Sequence, residues 1–160
     1  MRVGHGFDVH RFTAGDYVVI GGVKIPFVKG IEAHSDGDVV IHALCDALLG
    51  ACALGDIGKH FPDSDPKFKG RDSRFFLKSI AKLIYDNGYE LINLDCTVVC
   101  EKPRISPYIS VMRENLASDL NVSLEQVSVN ATTTELLGFT GRGEGVAAFA
   151  VVSLVSMSEE

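Results

Sequence analysis

The chain has 160 residues, with 15 Lys plus Arg against 21 Asp plus Glu and a formal net charge of -6. The length suits one ordinary domain with a real core, and the acidic balance speaks against a dedicated nucleic-acid binder, which carries a basic stripe. Hydrophobic residues at 46% and charged residues at 22% exclude wholesale disorder, and no apolar run approaches the length of a membrane span.

Residues 2–10 alternate as a strand does: Val3, His5, Phe7 and Val9 point one way, and Arg2, Gly4, Gly6, Asp8 and His10 the other. Tyr17 to Ile20 and Val23 to Val28 flank Gly21-Gly22, which reads as a hairpin turn. Ser35 or Asp36 is expected to cap a helix from about Asp38 to Ala53 that stops at Gly55. A polar loop follows to Asp72. Ser73 then opens a second helix with Leu77, Ile80, Ala81 and Ile84 as its inner stripe, closed by Gly88. Leu91 to Cys100 reads as a strand. Ser106-Pro107 starts a third helix that presents Ile109, Met112, Leu116 and Leu120 on one side. Val127 to Ala131 is a short strand, Thr132 to Gly145 a turn-rich loop, and Val146 to Val155 a β-branched last strand.

This order predicts an α/β (α+β) sandwich, a mixed sheet with helices on one face, in a single domain spanning residues 1–160. Apolar residues on both strand faces leave the second face of the sheet uncovered, which a symmetric oligomer would bury. The four cysteines show no paired spacing and read as packed free thiols. The opening residues have no charged-then-apolar leader pattern, so a cytoplasmic protein, or the mature part of an organellar one, is expected.

Asp8 and His10 lie two apart on one strand face and can close on a single ion. His42 on the first helix would complete a set of one carboxylate and two imidazoles, the composition of a catalytic zinc site with an open position. Asp46, one turn further, shares the His42 face and could orient its ring. The spacing alone does not bring helix and strand together, and ordinary surface polarity stays an alternative. His34 and Ser35, ahead of the helix, could donate to a phosphate, or serve only as its polar approach. Thr132, Thr133 and Thr134 carry adjacent hydroxyls, and Glu135 suits a hard cation. The loop Gly138 to Gly145 lacks the spacing of a dinucleotide fingerprint, but Arg142 can fork two phosphate oxygens.

Taken together, Arg2-Val-Gly-His-Gly-Phe-Asp-Val-His10, His34-Ser-Asp-Gly-Asp38, the His42 helix, Ala53 to Gly58, Phe61 to Pro66, Phe68 to Gly70, Ala131 to Glu135 and Leu137 to Gly145 resemble the 2-C-methyl-D-erythritol 2,4-cyclodiphosphate synthase family, in order along the chain. The resemblance implies a homotrimer with sheets packed around a threefold axis and active sites between subunits. It implies cyclisation of 4-diphosphocytidyl-2-C-methyl-D-erythritol 2-phosphate with release of CMP, in non-mevalonate isoprenoid biosynthesis. Asp8, His10 and His42 would ligand zinc, and Glu135 would hold magnesium or manganese on the substrate diphosphate. His34 and Thr133 would steady the phosphates, beside Ser35. Asp56, Ile57 and Gly58 would contact the methylerythritol, with Phe61, Pro62, Asp63, Ser64 and Asp65 closing over it. Cytidine would be held by Cys100, Glu101, Lys102, Pro103, Arg104, Ile105 and Ser106 with Thr132, Thr133 and Thr134, from the adjoining subunit. Phe139 and Arg142 would lie near the axis or the phosphates, where an isoprenoid diphosphate could also bind.

Two other readings stay open on the sequence: a zinc hydrolase, which would leave a linear product, and a non-catalytic trimer that binds isoprenoid diphosphates.

Overall fold

The computed structural model describes residues 1–157. Its frame is a five-stranded sheet in the order β4-β1-β7-β5-β6, made of β1 (Arg2–Thr13), β4 (Gly30–Ile31), β5 (Tyr89–Val99), β6 (Val127–Thr132) and β7 (Gly145–Ser156). β7 pairs antiparallel with both β1 and β5, and β5 pairs parallel with β6, so the sheet is mixed. A separate hairpin joins β2 (Tyr17–Ile20) to β3 (Val23–Pro26). Its turn residues Gly21 and Gly22 both take positive φ, +60° and +72°, the backbone a right-twisted two-residue turn requires.

Three helices cover one face. α1 (Val39–Ala51) lies over β1 and β7, α3 (Ser73–Asp86) packs on α1, and α4 (Ile109–Leu120) leans on β6 and α3. α1 is apolar nearly all round, because it lies between the sheet and α3. α3 is amphipathic and buries Phe76, Leu77, Ile80 and Ile84. Arg74 of α3 donates from Nε and Nη2 to the fully buried Asp119 carboxylate of α4 at 2.8 and 2.9 Å. The two helices are thereby locked by a forked, charge-assisted pair.

On β1 the expected alternation holds. Gly4, Gly6, Asp8 and His10 share the helix-facing side, while Val3 and Phe7, 64% and 47% exposed, stand on the open face. Phe149 and Val151 of β7 continue that open apolar face, the Phe7 and Phe149 rings 4.8 Å apart. A Cβ on Gly4 would lie 1.8 Å from the Ala47 carbonyl oxygen, and one on Gly6 the same distance from that of Ala43. The bare backbone at these two positions lets α1 lie flush on β1.

The cap of α1 differs from the sequence reading. Asp38, rather than Ser35 or Asp36, caps α1: its fully buried carboxylate accepts from the N–H groups of Ile41, Gly21 and Gly22 at 3.1, 2.9 and 2.7 Å. Only that position reaches both the helix start and the hairpin turn. Ser73 opens α3 as expected, as a buried first helical residue, and Asp72 before it supplies the cap. The two stretches read as loops carry single helical turns, α2 (Ile57–His60) and α5 (Gly138–Gly141).

Candidate metal centre

Because Gly6 seats Ala43, the next inward residue of β1, Asp8, comes up against His42 on the same helix. Asp8 Oδ2 lies 3.0 Å from His10 Nε2 and 3.2 Å from His42 Nδ1, and the two ring nitrogens are 3.2 Å apart. These are the ligand atoms of a three-residue cluster able to hold a metal ion. Asp8 Oδ2 is buried and meets neither imidazole in hydrogen-bond geometry, so among the described residues it has no hydrogen-bond partner. A buried carboxylate oxygen with unpaired lone pairs, aimed at two imidazole nitrogens, calls for a cation.

The electrostatics point the same way. Burial acts to raise the Asp8 carboxyl, but His10 and His42 outweigh it and hold it down at about 2. Burial acts to lower the His42 ring, yet Asp8, and at longer range Asp38 and Asp36, raise it. Positive charge is favoured between these side chains. One carboxylate and two imidazoles suit a borderline divalent ion such as zinc.

The cluster forms one wall of a cleft of about 340 Å³ that is also lined by His34, Ser35, Ile57, Gly58, Phe61 and Asp63. Asp56 caps α2 through the Lys59 N–H at 3.0 Å. Asp46 makes no hydrogen bond or ion pair with the His42 ring. It accepts the Ile57 N–H at 2.7 Å and so ties α2 to α1, while His42 Nε2 faces Ser73 Oγ at 2.9 Å and Ser35 Oγ at 3.2 Å. His34 Nε2 lies 3.4 Å from the Asp65 carbonyl oxygen, at the loop that runs from Phe61 to Asp65. A larger cavity of about 660 Å³ between α3, α4 and β5 lies away from these residues, with Lys78, Tyr85, Asn121 and Gln126 among its lining. No convergent set of ligand atoms comparable to the metal cluster occurs there among the described residues.

The second group of expected site residues sits elsewhere on the chain. Cys100 to Ser106 leave the end of β5, and Thr132 to Glu135 leave the end of β6. Glu101 joins the two segments, its Oε1 accepting from the Thr134 and Leu136 N–H groups at 3.2 Å each. Glu135 and Leu136 between them take left-handed backbone, with φ of 55° and 66°. Arg142, at the end of α5, pairs its Nε with Glu144 at 2.8 Å. β6 stands three strands away from β1 in the sheet, roughly 14 Å at ordinary strand spacing. Within one chain, therefore, Thr133 and Glu135 line no part of the metal cleft.

Sequence reading missed two determinants of this centre. Gly4 and Gly6 carried the one available signal that the His42 helix packs on Asp8: small residues on the same strand face as the ligands. Ser73 gave no signal beyond a helix start.

The molecule is thus an α/β protein with a three-residue cluster able to hold a metal ion where a helix crosses a strand. The chain belongs to the YgbB family, whose model matches residues 1–155. It is 59% identical to the 2-C-methyl-D-erythritol 2,4-cyclodiphosphate synthase of Thioalkalivibrio sulfidiphilus over 98% of each chain. It is 58% identical to that of Azotobacter vinelandii, over 98% of this chain and 100% of the relative. Among solved structures it resembles Plasmodium falciparum IspF in complex with CDP, with TM-score 0.86 and 32% identity over 98% and 97% of the two chains. It also matches the bifunctional IspDF of Campylobacter jejuni, with TM-score 0.94 and 43% identity, there covering 98% of this chain and 42% of the longer one.

Proposed function

We propose that the chain cyclises 4-diphosphocytidyl-2-C-methyl-D-erythritol 2-phosphate to the 2,4-cyclodiphosphate and CMP, a step of non-mevalonate isoprenoid precursor synthesis. An oxygen of the 2-phosphate attacks the β-phosphorus, and the bond from that phosphorus to the oxygen bridging it to the α-phosphate breaks. CMP departs with the bond's electron pair, so no covalent protein intermediate is needed. The task is to fold a flexible polyanion until its ends meet and to spread charge at phosphorus.

In this reading Asp8, His10 and His42 would hold zinc, and Glu135 would hold magnesium or manganese. Bound there, such ions would supply Lewis-acid polarisation of phosphate oxygens and would neutralise charge that an acidic protein otherwise repels. His34 and Thr133 donate to the phosphates, and Ser35 lies beside them at the cleft wall. Asp56, Ile57 and Gly58 orient the methylerythritol, and the segment from Phe61 to Asp65 covers it.

The observation that carries the reading is the orphaned Asp8 oxygen aimed at two imidazoles in a cleft that also holds His34 and Gly58. The separation of Thr133, Glu135 and the Cys100–Ser106 segment from that cleft supports a site completed by a neighbouring subunit. The open apolar face bearing Val3, Phe7, Phe149 and Val151 supports a homotrimer closed around those strands. Cytidine then lies against Cys100 to Ser106 and the threonine run of the adjoining copy; that the Plasmodium relative forms a CDP complex supports a cytidine-diphosphate-linked substrate. Phe139 and Arg142 face the phosphates or the threefold axis, where an isoprenoid diphosphate fits. Residues 1–160 act as a single domain, in the cytoplasm.

The test is product analysis with the diphosphocytidyl substrate and added zinc and magnesium. CMP and a cyclic diphosphate in equal amounts are expected, with turnover abolished in Asp8→Ala. A linear product would make the chain a hydrolase instead, and normal turnover in Asp8→Ala would overturn the ligand set.

A further inference from the structure

We propose that Ser73, backed by Asp36, is a positioning residue that fixes His42 as the Nε2-protonated tautomer and so presents the Nδ1 lone pair to the metal. The inference rests on the zinc centre proposed above.

Asp36, His42 and Ser73 come from three places, the loop before α1, α1 itself and the first turn of α3. Ser73 is fully buried, and its hydroxyl lies between the other two. On one side Ser73 Oγ donates to Asp36 Oδ1. On the other it stands 2.9 Å from His42 Nε2. Asp36 is held for this role. Its Oδ1 also accepts the Asp38 N–H at 3.1 Å, and its Oδ2 accepts the Ser73 N–H at 2.9 Å.

A count of protons decides the direction of each bond. A carboxylate offers only lone pairs, and a serine hydroxyl has a single proton. With that proton directed to Asp36, Ser73 Oγ can only accept from the imidazole. His42 Nε2 must then carry the hydrogen, and a neutral imidazole carries only one. Nδ1, which faces Asp8 and His10, is left bare. Metal-bound histidines generally donate their other N–H to a neighbour, which sets ring orientation and basicity. Here a buried hydroxyl relays a carboxylate to the ring. Ser35 Oγ, at 3.2 Å from the same nitrogen, is further away and also accepts the Gly37 N–H at 3.4 Å.

Metal-free protein titrated with zinc against a competing chromophoric chelator, without substrate, tests the proposal. Ser73→Ala should weaken zinc binding roughly 10- to 100-fold with an unchanged circular dichroism spectrum, and Ser73→Thr, which keeps the hydroxyl, should restore it. Asp36→Ala frees the Ser73 proton to turn toward His42 and should weaken binding as well; it replaces Ser73→Ala if that variant does not fold. Equal weakening by Ser73→Ala and Ser73→Thr would assign the effect to packing and overturn the proposal. Wild-type uptake with unaltered affinity in Ser73→Ala or Asp36→Ala would overturn this inference alone. Wild-type protein that takes up no zinc would overturn the metal reading, and this inference with it.

Discussion

Gly6 of β1 lies so close beneath Ala43 of α1 that a Cβ on the glycine would stand 1.8 Å from the Ala43 carbonyl oxygen. One residue along the helix and two along the strand from this contact, His42 meets Asp8. Gly6→Ala must lift the helix, because backbone on both sides cannot yield as a flexible side chain can. A loss on the order of 3 kcal/mol in stability is expected, with zinc content falling at the same time. Chemical denaturation and metal analysis of the purified variant check both; wild-type zinc content in a folded Gly6→Ala would break the link between this contact and the centre.

Asp46 tests the coupling of metal helix and substrate loop. Its carboxylate accepts the Ile57 N–H at 2.7 Å, a charged hydrogen bond of a kind that contributes about 1.5–3 kcal/mol. Asp46→Ala should raise KM about tenfold or more while leaving zinc stoichiometry intact, and Asp46→Asn, which keeps an acceptor, should lie between. Steady-state kinetics with metal analysis separate this from a change at the ligands.

The alternation of residues 2–10 was enough to place Asp8 and His10 on one face, since a strand has a period of two and the segment is long. What brings His42 to them was not legible as a pattern, because close approach is encoded by absent side chains at Gly4 and Gly6. The cap of α1 was misjudged for a related reason. Ser35, Asp36 and Asp38 are all good cap residues, and the choice among them depends on Gly21 and Gly22, distant in sequence, which only Asp38 reaches. The single turns α2 and α5 are too short to show a helical period. The left-handed Glu135 and Leu136 are held by Glu101, a contact made only once β5 and β6 are paired. The division of the expected site between β1 and the ends of β5 and β6 follows from strand order, which no local motif records.

Arg74 and Asp119 give a stability test remote from the chemistry. Asp119 is buried with an exposed side-chain surface of 0%, so Arg74→Ala leaves a buried carboxylate with only the 3.8 Å contact from Lys78. A loss of about 3 kcal/mol is expected, seen as a lowered denaturation midpoint with unchanged zinc content.

The thiols supply a pH test. Burial, with Asp95 adding to it, pushes Cys96 up to about 12, and burial with Glu101 pushes Cys100 up to about 11. Burial raises Cys45 well beyond the ordinary range and Cys52, half-buried, more modestly. In native protein at about pH 8, alkylation should therefore reach Cys52 first and spare the other three until denaturant is added, since the thiolate is the reacting form. Because these thiols ionise more readily when unfolded, stability should fall as pH rises past the ordinary thiol value of 9.0 and toward the folded value of about 12 for Cys96. Mass spectrometry of labelled peptides and an alkaline denaturation series check the two halves.

The most direct measurement is anomalous diffraction at the zinc edge from crystals of zinc-loaded protein whose turnover has been verified. The account expects one strong peak per chain among Asp8 Oδ2, His10 Nε2 and His42 Nδ1. Active crystals with no zinc peak within bonding distance of those three atoms would contradict it.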